Sequence, residues 1–182
     1  MVTFQFSPFP TLETDRILLR KLESKDALSI FEYQSNKENF PYVDMQVYTE
    51  KEEAQSYIKK MNAGVESNKW IIWAIADVHS DQILGTASIW NLSEEQRKGE
   101  LGYGLFPSYR GKGLMSEALT KVVEYGVNTM GLKTIEAYTN SKNKDSIALL
   151  KNGYFIKKAN SREANTYSGE PMDMVIYQRI FE

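Results

Sequence analysis

The stretch Glu100-Leu-Gly-Tyr-Gly-Leu-Phe-Pro-Ser-Tyr-Arg-Gly-Lys-Gly-Leu-Met-Ser-Glu-Ala-Leu119 runs a strand, a basic glycine loop and a helix start in direct succession. Leu101, Tyr103 and Leu105 alternate with Glu100, Gly102, Gly104 and Phe106, the two-residue period of an extended chain. Pro107 ends that strand. After Arg110-Gly111-Lys112-Gly113 the apolar spacing becomes helical, with Met115, Leu119, Val122 and Gly126 on one face and Val123 beside them. The first N–H groups of a helix have no intrahelical partner and its dipole makes that end electropositive, so the junction suits an anion. Gly111 and Gly113 let the backbone come close to a pyrophosphate, and Arg110 and Lys112 offer charge-assisted bonds.

Taken alone, Gly-x-Gly beside basic residues also occurs in ordinary surface turns. Two competing nucleotide motifs fit poorly. A Walker A loop needs Ser or Thr after Gly-Lys, and here Gly113 follows Lys112. A dinucleotide fingerprint needs Gly-x-Gly-x-x-Gly, and Gly102-Tyr-Gly104 is followed by Leu105, Phe106 and Pro107.

The loop Arg110-Gly-Lys-Gly113-Leu-Met115 resembles the Arg/Gln-x-x-Gly-x-Gly/Ala signature of the GNAT superfamily of acyl-CoA N-acyltransferases, with Met115 at a usually small position. The resemblance implies that residues 110–115 (Arg110, Gly111, Lys112, Gly113, Leu114, Met115) hold the pyrophosphate of acetyl-CoA. It also implies that the preceding strand splays open to pair with the pantetheine arm through Leu105 and Phe106. A second segment is similar to the family's Asn-x-x-Ser, short helix and Lys-x-Gly-Phe: Asn143-Lys-Asp-Ser146 through Gly153-Tyr154-Phe155, Tyr154 replacing the usual Phe. By its chemistry this segment is a helix from about Asn143 to Asn152 ended by a C-cap at Gly153, with Asn143 a simple N-cap; the resemblance of both motifs implies instead that Asn143 contacts the cofactor. A third segment, Leu12-Glu-Thr14-Asp-Arg16-Ile-Leu18-Leu-Arg20-Lys-Leu22-Glu-Ser-Lys-Asp26-Ala27, is similar to the opening of the RimJ/RimL-like branch. There Ile17 to Leu22 reads as a strand, and Ser24 or Asp26 as the cap of the next helix.

The expected fold is α/β, a single N-acetyltransferase domain over residues 1–182 with a GNAT-like, mixed and mostly antiparallel sheet of about seven strands and about four helices. The element reading is strand 16–22, helices 26–36 and 51–66, strands 70–77, 82–90 and 98–106, helix 114–130, strand 134–139, helix 144–152, and strands 154–160 and 173–181. Asn160 to Pro171 reads as a long connection. A length of 182 residues suits one domain with a full core, and no linker, repeat or membrane-length apolar run divides it. The N-terminal residues lack signal-peptide zones, giving a cytoplasmic expectation. A formal charge of −2 with mixed signs leaves no basic stripe for nucleic acid.

The absence of cysteine excludes disulfides, thiolate metal sites and an acyl-cysteine intermediate, so direct attack within a ternary complex is the simplest route for acyl transfer. The lone histidine, His79, lies in the hairpin turn expected at Val78 to Asp81 and makes neither triad nor metal cluster. The resemblance implies acetyl transfer to a primary amine, either a protein N-terminus or a small molecule. Its branch also includes chains that pair exposed apolar strands into a homodimer. Two groups must then move protons: a base for the ammonium and an acid for the departing thiolate. Glu100 is the candidate base, where the family resemblance places a glutamate; the other reading is an edge carboxylate paired with Arg97 or Lys98. Many family members use a tyrosine where this chain has Leu150, which leaves Ser146 as the candidate acid. Glu38, Tyr42, Asp44 and Tyr48 read either as an anionic, aromatic mouth for a cationic amine or as solvated surface. A non-catalytic acyl-CoA-binding module is the alternative that the departures at Met115 and Leu150 would suit.

Overall fold

Runs of β-branched and aromatic residues bounded by turn residues become the strands, and amphipathic runs become the helices that cover them. The computed structural model describes residues 2–182. In chain order the elements are β1 (Leu12–Glu13), β2 (Ile17–Arg20), α1 (Ala27–Gln34), α2 (Lys51–Glu66), β3 (Ile71–Asp77), β4 (Ile83–Ser93), β5 (Lys98–Leu105), α3 (Leu114–Asn128), β6 (Thr134–Asn140), α4 (Lys144–Asn152), β7 (Ile156–Glu163) and β8 (Met172–Ile180). The eight strands form one sheet in the order β1-β2-β3-β4-β5-β6-β8-β7. The count exceeds the expected seven because Leu12–Glu13 pairs with Leu19 and Leu18, and two residues are too few to show a period.

Every neighbouring pair is antiparallel except β5 and β6, which α3 joins as a crossover. Pairing of these two runs from Lys98↔Thr134 to Leu101↔Ala137 and then stops. Beyond that point the strands part, leaving a wedge in the sheet.

Alternation along the central strands assigns the two faces. Ile72, Ser88 and Gly102 lie in register, as do Ala74, Thr86 and Gly104, and this face meets α1 and α2. The opposite face carries Ile89 and Ile135, against which Gly126 of α3 packs closely. α4 lies beside α3 on that side. Trp73 is fully buried, stacks edge-on with Tyr125 at 5.4 Å and donates from Nε1 to the Pro10 carbonyl at 2.7 Å.

Two local expectations are corrected. Neither Ser24 nor Asp26 caps α1 through its side chain. The Asp26 carboxylate instead accepts the Glu23 N–H at 2.8 Å and a two-pronged pair of bonds from Arg20, each 2.9 Å. Arg20 also donates to Asp81 at 2.6 Å, so the pair ties β2 to the β3–β4 hairpin. Gly153 caps the end of α4 as expected, at φ −85, and the left-handed residue is the next one, Tyr154 at φ 66. β7 reaches Glu163, which shortens the long connection to residues 164–171. Among the described residues no helix is long and apolar enough to cross a membrane.

Candidate active site

The wedge between β5 and β6 offers unused backbone. The Phe106 N–H donates to the Leu84 carbonyl at 2.8 Å, so alternation turns the N–H groups of Leu105 and Tyr103 the other way, toward the space β6 has left. The Leu105 carbonyl on that side accepts Arg110 Nε at 3.0 Å. Of the two expected pantetheine contacts, Leu105 therefore turns its N–H to the wedge. Phe106 offers its ring, which sits 5.0 Å from that of Tyr33.

The glycine loop has the form an anion requires. Gly111 and Gly113 take φ 76 and 78, the left-handed region that glycine enters without strain. The backbone N–H groups of residues 111–116 have no acceptor among the described residues, and a Cβ on Gly111 would meet nothing within 4 Å. Six orphan donors around an open face fit a pyrophosphate. Lys112 stands exposed with its ammonium 6.0 Å from the Tyr109 ring centroid. Arg110 is engaged differently from expectation: besides Leu105 it donates to the Asn39 carbonyl at 2.7 Å, so it braces the loop against the segment after α1. Leu114 and Met115 point into the core at 8% and 9% exposure, which is how a large residue fits at position 115. Asn143 accepts the Ser146 N–H at 3.2 Å as the N-cap of α4.

Glu100 lies on the α1–α2 face, in register with Trp90 on one side and Glu136 on the other. Neither ion pair foreseen for it forms. Arg97 donates to the Gly131 carbonyl at 2.7 Å, while Lys98 and Lys158 both pair with Glu136. At 9% exposure and with only a 3.3 Å bond from Asn91, the Glu100 carboxyl is pushed up to about 7. Burial is the main cause, the Asn91 bond opposes it, and the charge of Glu136 adds to it.

On the other face Tyr103 and Ser146 meet, Oη to Oγ at 2.7 Å, with either able to donate. Burial pushes the Tyr103 phenol up to about 12, so it stays protonated near neutrality. The Glu100 carboxyl and the Tyr103–Ser146 pair thus flank the wedge from opposite faces of β5.

A cavity of about 420 Å³ opens on the α1–α2 face and takes in Trp90 and Gly102, the neighbours of Glu100 across and along the sheet. Gly102 and Gly104 leave its floor bare, and Tyr33, Tyr57, Trp70 and Trp90 wall it. Of the foreseen mouth residues none lines it. Glu38 and Tyr42 are exposed and Tyr48 is buried. Asp44 accepts the N–H groups of Thr166, Tyr167 and Ser168 at 2.6, 3.2 and 3.1 Å, which caps the β7–β8 connection.

The model of the Acetyltransferase (GNAT) domain family matches residues 16–154, most of the chain. The chain belongs to the GNAT acetyltransferase family. It is similar to the uncharacterized N-acetyltransferase YoaA of Bacillus subtilis, 33% identical over 169 residues, covering 93% of this chain and 96% of that one. It is also similar to the [ribosomal protein uS5]-alanine N-acetyltransferase of Escherichia coli, 26% identical over 174 residues, covering 93% and 90%. In fold it resembles RimL, the ribosomal L7/L12 α-N-protein acetyltransferase solved with coenzyme A, with a TM-score of 0.84 at 16% identity over 94% and 98% of the two chains. The reaction of this GNAT chain is acetyl transfer from acetyl-CoA to an amine.

Two parts of this acetyltransferase's site escaped the sequence reading. Arg16 donates to the Lys112 carbonyl at 2.9 Å and to Glu117 at 3.0 Å, and Thr14 donates to Glu117 at 2.6 Å. That bracket fixes the glycine loop from the turn between β1 and β2, about a hundred positions earlier; the Thr14-x-Arg16 pair was visible but nothing in it named its partner. Tyr103 stood out only through its place in the strand alternation, and only the placement of α4 joins it to Ser146.

Proposed function

We propose that Glu100 is the general base and Ser146, held by Tyr103, the hydroxyl donor of this acetyltransferase, acting by direct attack in a ternary complex. The acceptor is a primary amine, on a protein N-terminus or a small molecule. The observation that carries this reading is a buried carboxyl poised near pH 7, in register with Trp90 and two residues before Gly102, both of which line the cavity.

Acetyl-CoA supplies the activated acyl carbon, and the amides of residues 111–116 with Lys112 would hold its phosphates. The Leu105 N–H facing the wedge would pair with the pantetheine arm, with Asn143 beside it at the head of α4. Glu100 takes the proton of the incoming ammonium, directly or through one water. The bare glycine floor lets the nitrogen approach the wedge. As the N–C bond forms and the C–S bond breaks, the Ser146 hydroxyl donates its proton to the sulfur, and the proton shed by the new amide nitrogen passes to solvent, from which Ser146 is reprotonated through Tyr103. Alignment of amine and thioester supplies the larger share of the acceleration, on the order of 7–11 kcal/mol for well-oriented groups.

Ser146→Ala and Tyr103→Phe separate these roles. Both lower kcat by about tenfold to a hundredfold while the KM for acetyl-CoA stays within about twofold, as expected for a donor that acts only in the transition state. The readout is amine-dependent release of CoA thiol, with the acetylated product weighed by mass spectrometry. Unchanged kcat in both variants removes the donor role.

A further inference from the structure

The acceptor cavity has the opposite charge to the mouth sought in the sequence. Its wall contains no aspartate or glutamate, and the one charged side chain lining it is Lys60 of α2. Lys60 is exposed and forms no ion pair among the described residues. Its helical neighbours three and four positions away are Ser56, Tyr57, Ala63 and Gly64, none of them acidic.

The remaining wall is apolar and aromatic. Ile30, Val43, Met45, Met61 and Ile72 fill between the rings, and Trp90 lies 46% exposed, an unusually open position for so large an apolar surface. The ring of Trp70 is fixed by its Nε1 bond to the Met61 carbonyl at 3.0 Å. A ligand that covers Trp90 gains the apolar area it removes from water, about 25 cal/mol per Å².

These features sort amines by what they carry besides the reacting nitrogen. One ammonium is met by Glu100 beside Trp90. A second ammonium, as on a polyamine or aminoglycoside, finds no carboxylate in the wall and faces the Lys60 charge. An anion at the far end of an apolar body meets Lys60 instead.

We propose that the acceptor is a primary amine on an aromatic or branched apolar body that carries an anionic group away from the amine, with the body against Trp70 and Trp90 and the anion at Lys60. This rests on the reading of the chain as a transferase to primary amines, and it excludes polycations as preferred substrates. The same chemistry occurs in a small amino acid-like molecule and in a peptide N-terminus whose apolar first residue is followed by acidic ones.

The test compares kcat/KM for 4-(2-aminoethyl)benzoate, phenethylamine and spermidine, and for the peptides Phe-Glu-Glu and Phe-Lys-Lys, in the native protein and in Lys60→Glu and Lys60→Met. The carboxylate-bearing amine is expected to exceed phenethylamine by about fivefold, the most an exposed ion pair supplies, and spermidine by more. Lys60→Met should abolish the carboxylate preference and Lys60→Glu reverse it. Spermidine as the best substrate, or a preference untouched by both variants, overturns the inference while leaving the transferase intact. No acetylated product from any amine overturns the transferase reading together with it. Phe-Glu-Glu above the benzoate identifies a protein N-terminus as the source of the amine, and the reverse identifies a small molecule.

Discussion

A carboxyl group held away from water gains basicity at the expense of stability, and Glu100 shows both sides. Its folded form keeps a proton up to about pH 7, whereas the unfolded chain releases it near 4.5. Between those values the folded state binds more protons, so stability falls as pH rises through the window and the loss is complete above about 7. Glu100→Gln removes the buried charge. Its melting temperature should therefore exceed that of the native protein by more at pH 8 than at pH 5, measured by calorimetry at both. The face on which Glu100 stands was legible from alternation alone, since Gly102, Gly104 and Phe106 follow at the same period. Its partners were not. Arg97 and Lys98 are its neighbours in sequence, yet β5 turns Lys98 toward Glu136, and Arg97, at φ 50, reaches Gly131. The Tyr103–Ser146 pair spans 43 positions and two elements, beyond any local period.

At the scale of elements, the strand, loop and helix of residues 98–128 were readable because each is announced by its own chemistry: alternation, Pro107, two glycines, then helical spacing. The bracket that holds the loop was not, because Arg16 and Thr14 belong to the opposite end of the chain. Arg16→Ala frees the Lys112 carbonyl and loosens the loop. The KM for acetyl-CoA should rise about three- to tenfold, the size of one lost charge-assisted bond partly replaced by water, while the acceptor KM stays unchanged. The cavity floor allows the converse experiment. A Cβ on Gly104 would meet only Tyr33 Oη, at 3.8 Å, so Gly104→Val fits the strand and fills the acceptor side. Steady-state kinetics should show a raised acceptor KM with the acetyl-CoA KM unaltered.

For the molecule as a whole, one parallel pair inside an antiparallel sheet sets the function. The α3 crossover brings β6 alongside β5 for four residue pairs and no more, and the wedge that follows lies between a helix N-terminus and two hydroxyls. The α/β class and the four helices could be read from periodicity. The two-residue β1 and the true end of β7 could not, because pairing partners, not local pattern, define such short or exposed strands. The cavity beside β5 was the least legible part: it is assembled from α1, α2, β3, β4 and β5, and the acidic residues nearest in sequence serve elsewhere, as Asp44 does at the β7–β8 connection. The other end of the sheet is tied by Arg20 and Asp26, both nearly buried at 6% and 2% exposure. Asp26→Asn leaves the guanidinium short of a charge partner and should cost about 3 kcal/mol in urea unfolding.

The most direct measurement is the pH profile of kcat/KM for amine-dependent thiol release in the native protein and in Glu100→Gln. The expected result is an acid limb with an apparent pKa near 7 in the native protein, and in the variant a fall of about 10² or more with that limb gone. A variant that keeps both the rate and the limb would contradict the assignment of Glu100 as the base.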